Sequence, residues 1–203
     1  MKYRVISISR TLGAGGEQLG EALAKEFGMR YVDAEIIDRA AQKAGVNVTE
    51  VARTEARKGF AQRILEGLGR ASVGMSHEYI PDPALMADPH YEQLIVDVIR
   101  ETAAEGNVVI VAHGSSIPLA GTPGVLRVHV TASEDTRAKR LEAEAHGSAK
   151  AKKMVQDSDA ARADYFKRFY QLTQELPTHY DMVVNTDVLS ISDAQAAIRA
   201  VAG

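Results

Sequence analysis

The chain has 203 residues, 45% of them hydrophobic and 25% charged, with a formal net charge of −3 and no cysteine. That length and balance fit one globular domain with a sizeable core, and the small negative charge excludes a bulk cationic field for nucleic acid or an anionic membrane surface. Without cysteine there are no disulfides, no thiol catalysis and no cysteine-ligated zinc.

The opening "MKYRVISIS" alternates polar and apolar residues and reaches glycine by residue 13, which predicts a strand over 3–9 and argues against a signal peptide. A glycine-rich turn follows. Over 17–27, Leu19, Ala22, Leu23 and Phe27 fall at helical spacing, and Gly28 stands where a helix C-cap belongs. The segment 30–33 (RYVD) reads as the second strand, and a long, mostly helical stretch then runs over about 36–105. Inside it, "HEYIPDPALMADPHY" (77–91) carries three prolines and reads as a surface loop, while 91–105 is a helix with Leu94, Ile95, Val98 and Ile99, closed by Gly106. The continuous apolar run 107–112 predicts a central strand covered on both faces. Strands are also predicted over 125–131 and 181–186, separated by a helical stretch, 133–172, in which "AHGSAKAKK" (145–153) reads as a mobile connection. Strand–helix alternation of this kind predicts a single α/β domain with a parallel five-stranded sheet and right-handed crossovers. No apolar run is long enough to cross a bilayer, so a cytoplasmic location is expected.

The turn "TLGAGGEQ" admits three readings. It is a tight connection that uses glycine for positive φ, a dinucleotide fingerprint, or a phosphate-binding loop in which backbone N–H groups and a helix N-terminus hold an anion. Gly13 and Gly15 begin the G-x-G-x-x-G fingerprint, and Asp33 stands where such folds place a ribose-binding acid, but Gln18 fills the third glycine position. Against G-x-x-x-x-G-K-[ST], Gly15 matches the second glycine, while Arg10, Gly16 and Glu17 stand at the first glycine, the lysine and the hydroxyl.

The stretch "ISISRTLGAGGEQLGEALAKEFGMRYVDAEIIDRAA", with "DSDAARADYFKRFY" (157–170) and "YDMVVNTDVLSISDA" (180–194), resembles the cytidylate kinase-like family, a relative of the nucleoside monophosphate kinases. The family's Ser-Arg after strand one, its Gly-Ser-Gly-Gly turn and the aspartate ending strand two correspond to Ser9-Arg10, Gly13-Ala14-Gly15-Gly16 and Asp33. The resemblance implies a P-loop kinase fold of three layers, with a helical acceptor-binding insertion at about 36–105 and a lid at about 145–170. It also implies transfer of a phosphoryl group from ATP to CMP or a related monophosphate, with magnesium. The amides of Gly13, Ala14, Gly15, Gly16, Glu17 and Gln18 would hold the donor phosphates, and Arg10 would replace the absent lysine. Asp33, Arg39 and His113 would lie near the acceptor, His113 where relatives carry an arginine. Asp159 and Arg162 keep a D-x-x-R spacing found in kinase lids, which would let Arg162 close on the transferring phosphoryl group. Glu17 would either compete with phosphate for the helix N-terminus or take over the hydroxyl's magnesium.

Six histidines occur singly with no metal-ligand spacing, and aromatic residues are only 5% with no basic-aromatic RNA signature. The expected partners are therefore nucleotides, not nucleic acid or membrane. A nucleotide kinase is the first functional reading. A nucleotide-binding sensor without turnover is the second, since Gly16 and Glu17 remove a cation and add an anion. A dinucleotide-dependent oxidoreductase is the third.

Overall fold

The computed structural model describes residues 2–33, 35–43, 89–111 and 114–203. Five parallel strands form its centre: β1 (Val5–Arg10), β2 (Arg30–Val32), β3 (Val108–Val111), β4 (Val125–Thr131) and β5 (Met182–Asn185), in the order β2-β3-β1-β4-β5. Among the described residues the helices are α1 (Gly16–Phe27), α2 (Glu35–Lys43), α3 (Pro89–Glu105), α4 (Glu134–Ala145), α5 (Ser148–Tyr170) and α6 (Ile191–Ala202). The expected parallel α/β sheet is therefore present. Of the segment expected to be helical over 36–105, residues 44–88 lie outside the described residues, and with them most of the proline loop.

Alternation along β1 divides the core. Ile6 and Ile8 face α1 and α6 and pack with Leu19, Leu23, Ala194 and Ile198. Val5 faces the other way, onto Ile95 and Ile99 of α3 and Tyr165 and Phe166 of α5. Both faces of the central strands are covered, which is why β1 and β3 are buried at every residue. Helix α1 ends as its sequence requires: Gly28 adopts φ 62° and its N–H closes on the carbonyls of Ala24 and Lys25. Helix α6 begins on a capping box, with the Ser190 hydroxyl accepting from the Asp193 N–H and the Asp193 carboxylate accepting from the Ser190 N–H.

The predicted helical stretch 133–172 is two helices. His146, in the left-handed region at φ 55°, and Gly147 turn the chain between α4 and α5, and the run 145–153 is helical again from Ser148. The two helices pack as a hairpin over Leu12, with Ala138 and Leu141 against Ala151 and Val155. The far half of α5 belongs to the body of the protein, through Tyr165 and Phe166.

Helix α1 lies close to the sheet at Gly20, where an added Cβ would stand 2.5 Å from a Val111 methyl and 3.2 Å from the Tyr31 ring. Alanine in place of glycine favours a helix by about 1 kcal/mol, but overpacking a stiff β-branched neighbour costs about 1–3 kcal/mol. Gly20→Ala should therefore lower the unfolding free energy in urea despite its better helix propensity. An unchanged or raised value would show that α1 can lift off the sheet at no cost.

Candidate functional site

The glycine turn leaves the carboxyl end of β1 and runs straight into α1. Gly13 and Gly15 adopt φ 78° and 83°, where a side chain is strained. Space is also tight there. A Cβ on Gly13 would stand 3.0 Å from the Arg137 carbonyl oxygen, and one on Gly15 would stand 2.6 Å from the Ile191 Cδ1. The turn's carbonyls are held by side chains far away in sequence: Arg137 donates to Leu12 O (3.4 Å), Arg140 to Gly13 O (3.1 Å) and the Thr186 hydroxyl to Ala14 O (2.9 Å). The N-cap of α1 is Gly15, which offers no capping side chain, so the N–H groups of the first turn have no helical carbonyl to meet. Beside this turn lies a cavity of about 560 Å³, lined by Leu12, Gly13, Gln18, Arg140, Leu189 and Ile191 among others. That is the size range of small-ligand sites.

Arg10 ends β1 and is 2% exposed. Its stem crosses the Cα of Gly16 so closely that a Cβ there would overlap it. Its guanidinium reaches Glu17, with Nε 2.6 Å from Oε1, and extends toward Asp33 at the end of β2, with Nη2 3.8 Å from Oδ2. Three residues singled out in the sequence therefore form one cluster, and Gly16 is the space it needs. Burial, followed by the nearby Asp33 charge, pushes the Tyr31 hydroxyl well above its ordinary range.

Asp159 and Arg162 do not pair with each other. Asp159 grips Arg137 of α4 with both oxygens, at 2.9 and 2.6 Å. Arg162 is 6% exposed, lies over the Phe166 ring, and donates to both oxygens of Glu175 (2.8 and 2.7 Å) and to the Ser9 hydroxyl (2.5 Å). The Tyr180 hydroxyl also donates to Glu175, and its ring stacks on His129 at 4.8 Å. Burial raises the Glu175 carboxyl, but the hydrogen bonds and charge of Arg162 outweigh it and hold the group below its ordinary range. Burial is the leading influence on His129, which is held below its ordinary value and so neutral at physiological pH. Sequence reasoning missed Glu175, Tyr180, His129, Arg137 and Arg140. The one available signal was the R-x-x-R pair at 137 and 140, which places two arginines on one face of a helix.

The chain matches the cytidylate kinase-like family over residues 5–188. It belongs to that family. No curated protein matches it. Among solved structures it is similar to an uncharacterized protein from Eubacterium ventriosum, with 17% identity, a TM-score of 0.63, and coverage of 98% of this chain and 97% of that one. It is also similar to shikimate kinase from Bacteroides thetaiotaomicron, with 15% identity, a TM-score of 0.53 and coverage of 97% of each chain. At these identities the likeness shows the fold, that of a P-loop kinase.

In this cytidylate kinase-like protein Arg39 donates to Thr102 Oγ1 and Glu105 Oε1 of α3, both at 3.0 Å. Glu105 stands just ahead of β3, at the amino edge of the sheet, whereas the glycine turn leaves the carboxyl edge. Arg39 is thus brought to α3 and not to the Arg10 cluster. His113 lies outside the described residues. Family membership points to nucleotide and metal use in general, but the carboxylates beside this turn do not suit magnesium. Glu17 and Asp33 both lean on the Arg10 guanidinium, so a Mg²⁺ seated on them would compete with that buried positive charge for the same oxygens. Among the described residues no group of three or more histidine, aspartate or glutamate side chains gathers to hold a metal, and no helix is long and apolar enough to cross a membrane.

His129 gives the buried network a pH dependence. Its folded pKa is depressed, so the unfolded chain binds the extra proton first. The stability this contributes is complete above the ordinary histidine value of 6.5 and is lost as pH falls below it. Wild type should lose stability between about pH 7.5 and 5.5, and His129→Gln should lose less over the same interval. Parallel curves in urea denaturation would remove His129 as the source.

Proposed function

We propose that this protein is a phosphotransferase that moves a phosphoryl group from ATP to CMP or a related nucleoside monophosphate. The observation that carries this reading is the Arg10 stem seated on Gly16 at the uncapped start of α1. It supplies a fixed positive charge in a loop whose lysine position is glycine. Phosphoryl transfer asks the protein for positioning and charge neutralisation more than for a covalent group. The amides of residues 13–18 hold the donor phosphates, and Arg10 stands for the missing lysine. The nucleoside enters the neighbouring cavity, where Leu12, Leu189 and Ile191 offer apolar surface to a base and Glu21 and Glu144 can accept from ribose hydroxyls or amino groups. Arg162 is the second cation at the carboxyl edge of β1, and it reaches a phosphoryl group once released from Glu175.

One observation favours a second reading, a nucleotide sensor with little or no turnover. Glu17 neutralises Arg10 before any ligand arrives. Weakening one preorganised donor costs on the order of 10²–10³ in rate.

The test is a panel of nucleoside mono- and triphosphates in a thermal-shift experiment, followed by measurement of ADP release from ATP with each monophosphate. ATP should raise the melting temperature, and CMP or a close relative should stimulate ADP release. Arg10→Met should abolish both effects and also lower stability by on the order of 3 kcal/mol, because partly buried carboxylates lose their counter-ion. Binding without turnover would select the sensor. No stabilisation by any nucleotide would sink both readings.

A further inference from the structure

We infer that the glycine turn binds the phosphates of a nucleotide in their metal-free form, with the Arg10 guanidinium as the resident cation and Glu17 as the group that phosphate displaces. The inference rests on the nucleotide reading above and specifies which ionic form of the ligand the site takes.

The first ground is the state of the carboxylates. Glu17 follows the lysine position of the loop and is the carboxylate nearest the glycine turn in sequence. Its Oε1 lies 2.6 Å from Arg10 Nε, and Asp33 Oδ2 lies 3.8 Å from Arg10 Nη2. A guanidinium does not lose its proton at any working pH. A divalent cation placed between these carboxylates would share their oxygens with a fixed like charge that is 2% exposed and cannot swing into solvent. The second ground is that Arg10 is built into the loop and does not merely rest beside it. Its Cβ and Cδ would lie 2.6 and 2.7 Å from any Cβ at position 16, so the glycine and the arginine fit only as a pair.

The third ground is that the exchange needs no other ion. Glu17 is 26% exposed and also lines the cavity beside the turn. When phosphate oxygens approach the first-turn amides, the carboxylate can rotate toward that cavity and water. The guanidinium then passes from one anion to another, with no proton released and no bond made. Phosphate can take the carboxylate's place, since the planar fork matches two phosphate oxygens at once. The guanidinium stays in place throughout and offers the phosphates a resident positive charge, which is part of what a metal ion would otherwise bring.

The experiment is isothermal titration calorimetry of the full chain with ATP in excess EDTA and with ATP in excess magnesium. Metal-free ATP should bind as tightly as its magnesium complex or more tightly. Glu17→Ser should strengthen metal-free binding by about tenfold, because the competing carboxylate is gone. Two results would overturn the inference while leaving the nucleotide reading intact. One is magnesium-ATP binding tenfold or more tighter in wild type. The other is metal-free binding that Glu17→Ser leaves unchanged or weakens. If ATP binds in neither buffer, the nucleotide reading falls and takes this inference with it.

Discussion

A Cβ at position 16 would stand 2.6 Å from the Cβ of Arg10 and 2.7 Å from its Cδ, so the last residue of β1 and the first residue of α1 are chosen together. A lysine in the loop would need that space for its own stem. With glycine there, the cation comes from the strand and crosses the loop from beneath. Its position is fixed by the sheet and not by a helix side chain. The charge is therefore more rigidly placed, and it is also buried at 2% exposure. Those two consequences cannot be separated, and the neighbouring residues answer the second.

A guanidinium taken out of water must be paired or it costs several kcal/mol. Glu17 in the first turn of α1 and Asp33 just after β2 meet that requirement. The carboxylate at the start of α1 also suits the positive end of the helix dipole. The empty loop thus holds its buried cation in an ion pair, and an incoming anion must offer Arg10 more than Glu17 does. A mobile lysine facing solvent would carry no such threshold. The same logic governs Arg162, which holds Glu175 with two hydrogen bonds while Ser9 takes a third. Both cations at the carboxyl edge of β1 are occupied by internal carboxylates.

The sheet was legible because its strands are bounded by local signals. Segment 125–131, set after a Pro-Gly turn and before the Ser133 N-cap, has the predicted boundaries, whereas β1 runs on to Arg10, one residue past its predicted end. The break between α4 and α5 reads in the sequence as a connection over 145–153, but it is only His146 and Gly147, since the small residues from Ser148 on suit a helix as well as a loop. The site was legible where its chemistry is local. Arg10, Gly16 and Glu17 stand within eight residues of one another. Spacing showed that Asp159 and Arg162 share a helix face, but it could not show that one turns to Arg137 and the other to Glu175. Those partners are set by the packing of the hairpin on the sheet, which no local pattern encodes. Arg39 illustrates the same limit, since its helical context fits an acceptor site and a pairing with Glu105 equally well.

The bonds that shape the glycine turn also constrain how the hairpin can move. Arg137 joins Asp159 of α5 to Leu12 O and Ala132 O, while Arg140 joins Gly13 O to the hydroxyl and carbonyl of Thr186. Arg162 ties the next turn of α5 to Ser9 and Glu175. Any opening that keeps these bonds is confined to the part of the hairpin between Arg140 and Asp159, pivoting about the Arg137–Asp159 pair. That part is held by Leu141, Ala151 and Val155, small or aliphatic contacts that a modest tilt can preserve. An opening that went further would break the Arg137 and Arg140 bonds to the turn and loosen the peptides that present N–H groups to an anion. The two motions have opposite effects on the site. A tilt of the distal hairpin alone would leave the loop intact, whereas a swing that carried the Arg137 and Arg140 turns of α4 off the glycine turn would loosen the loop itself.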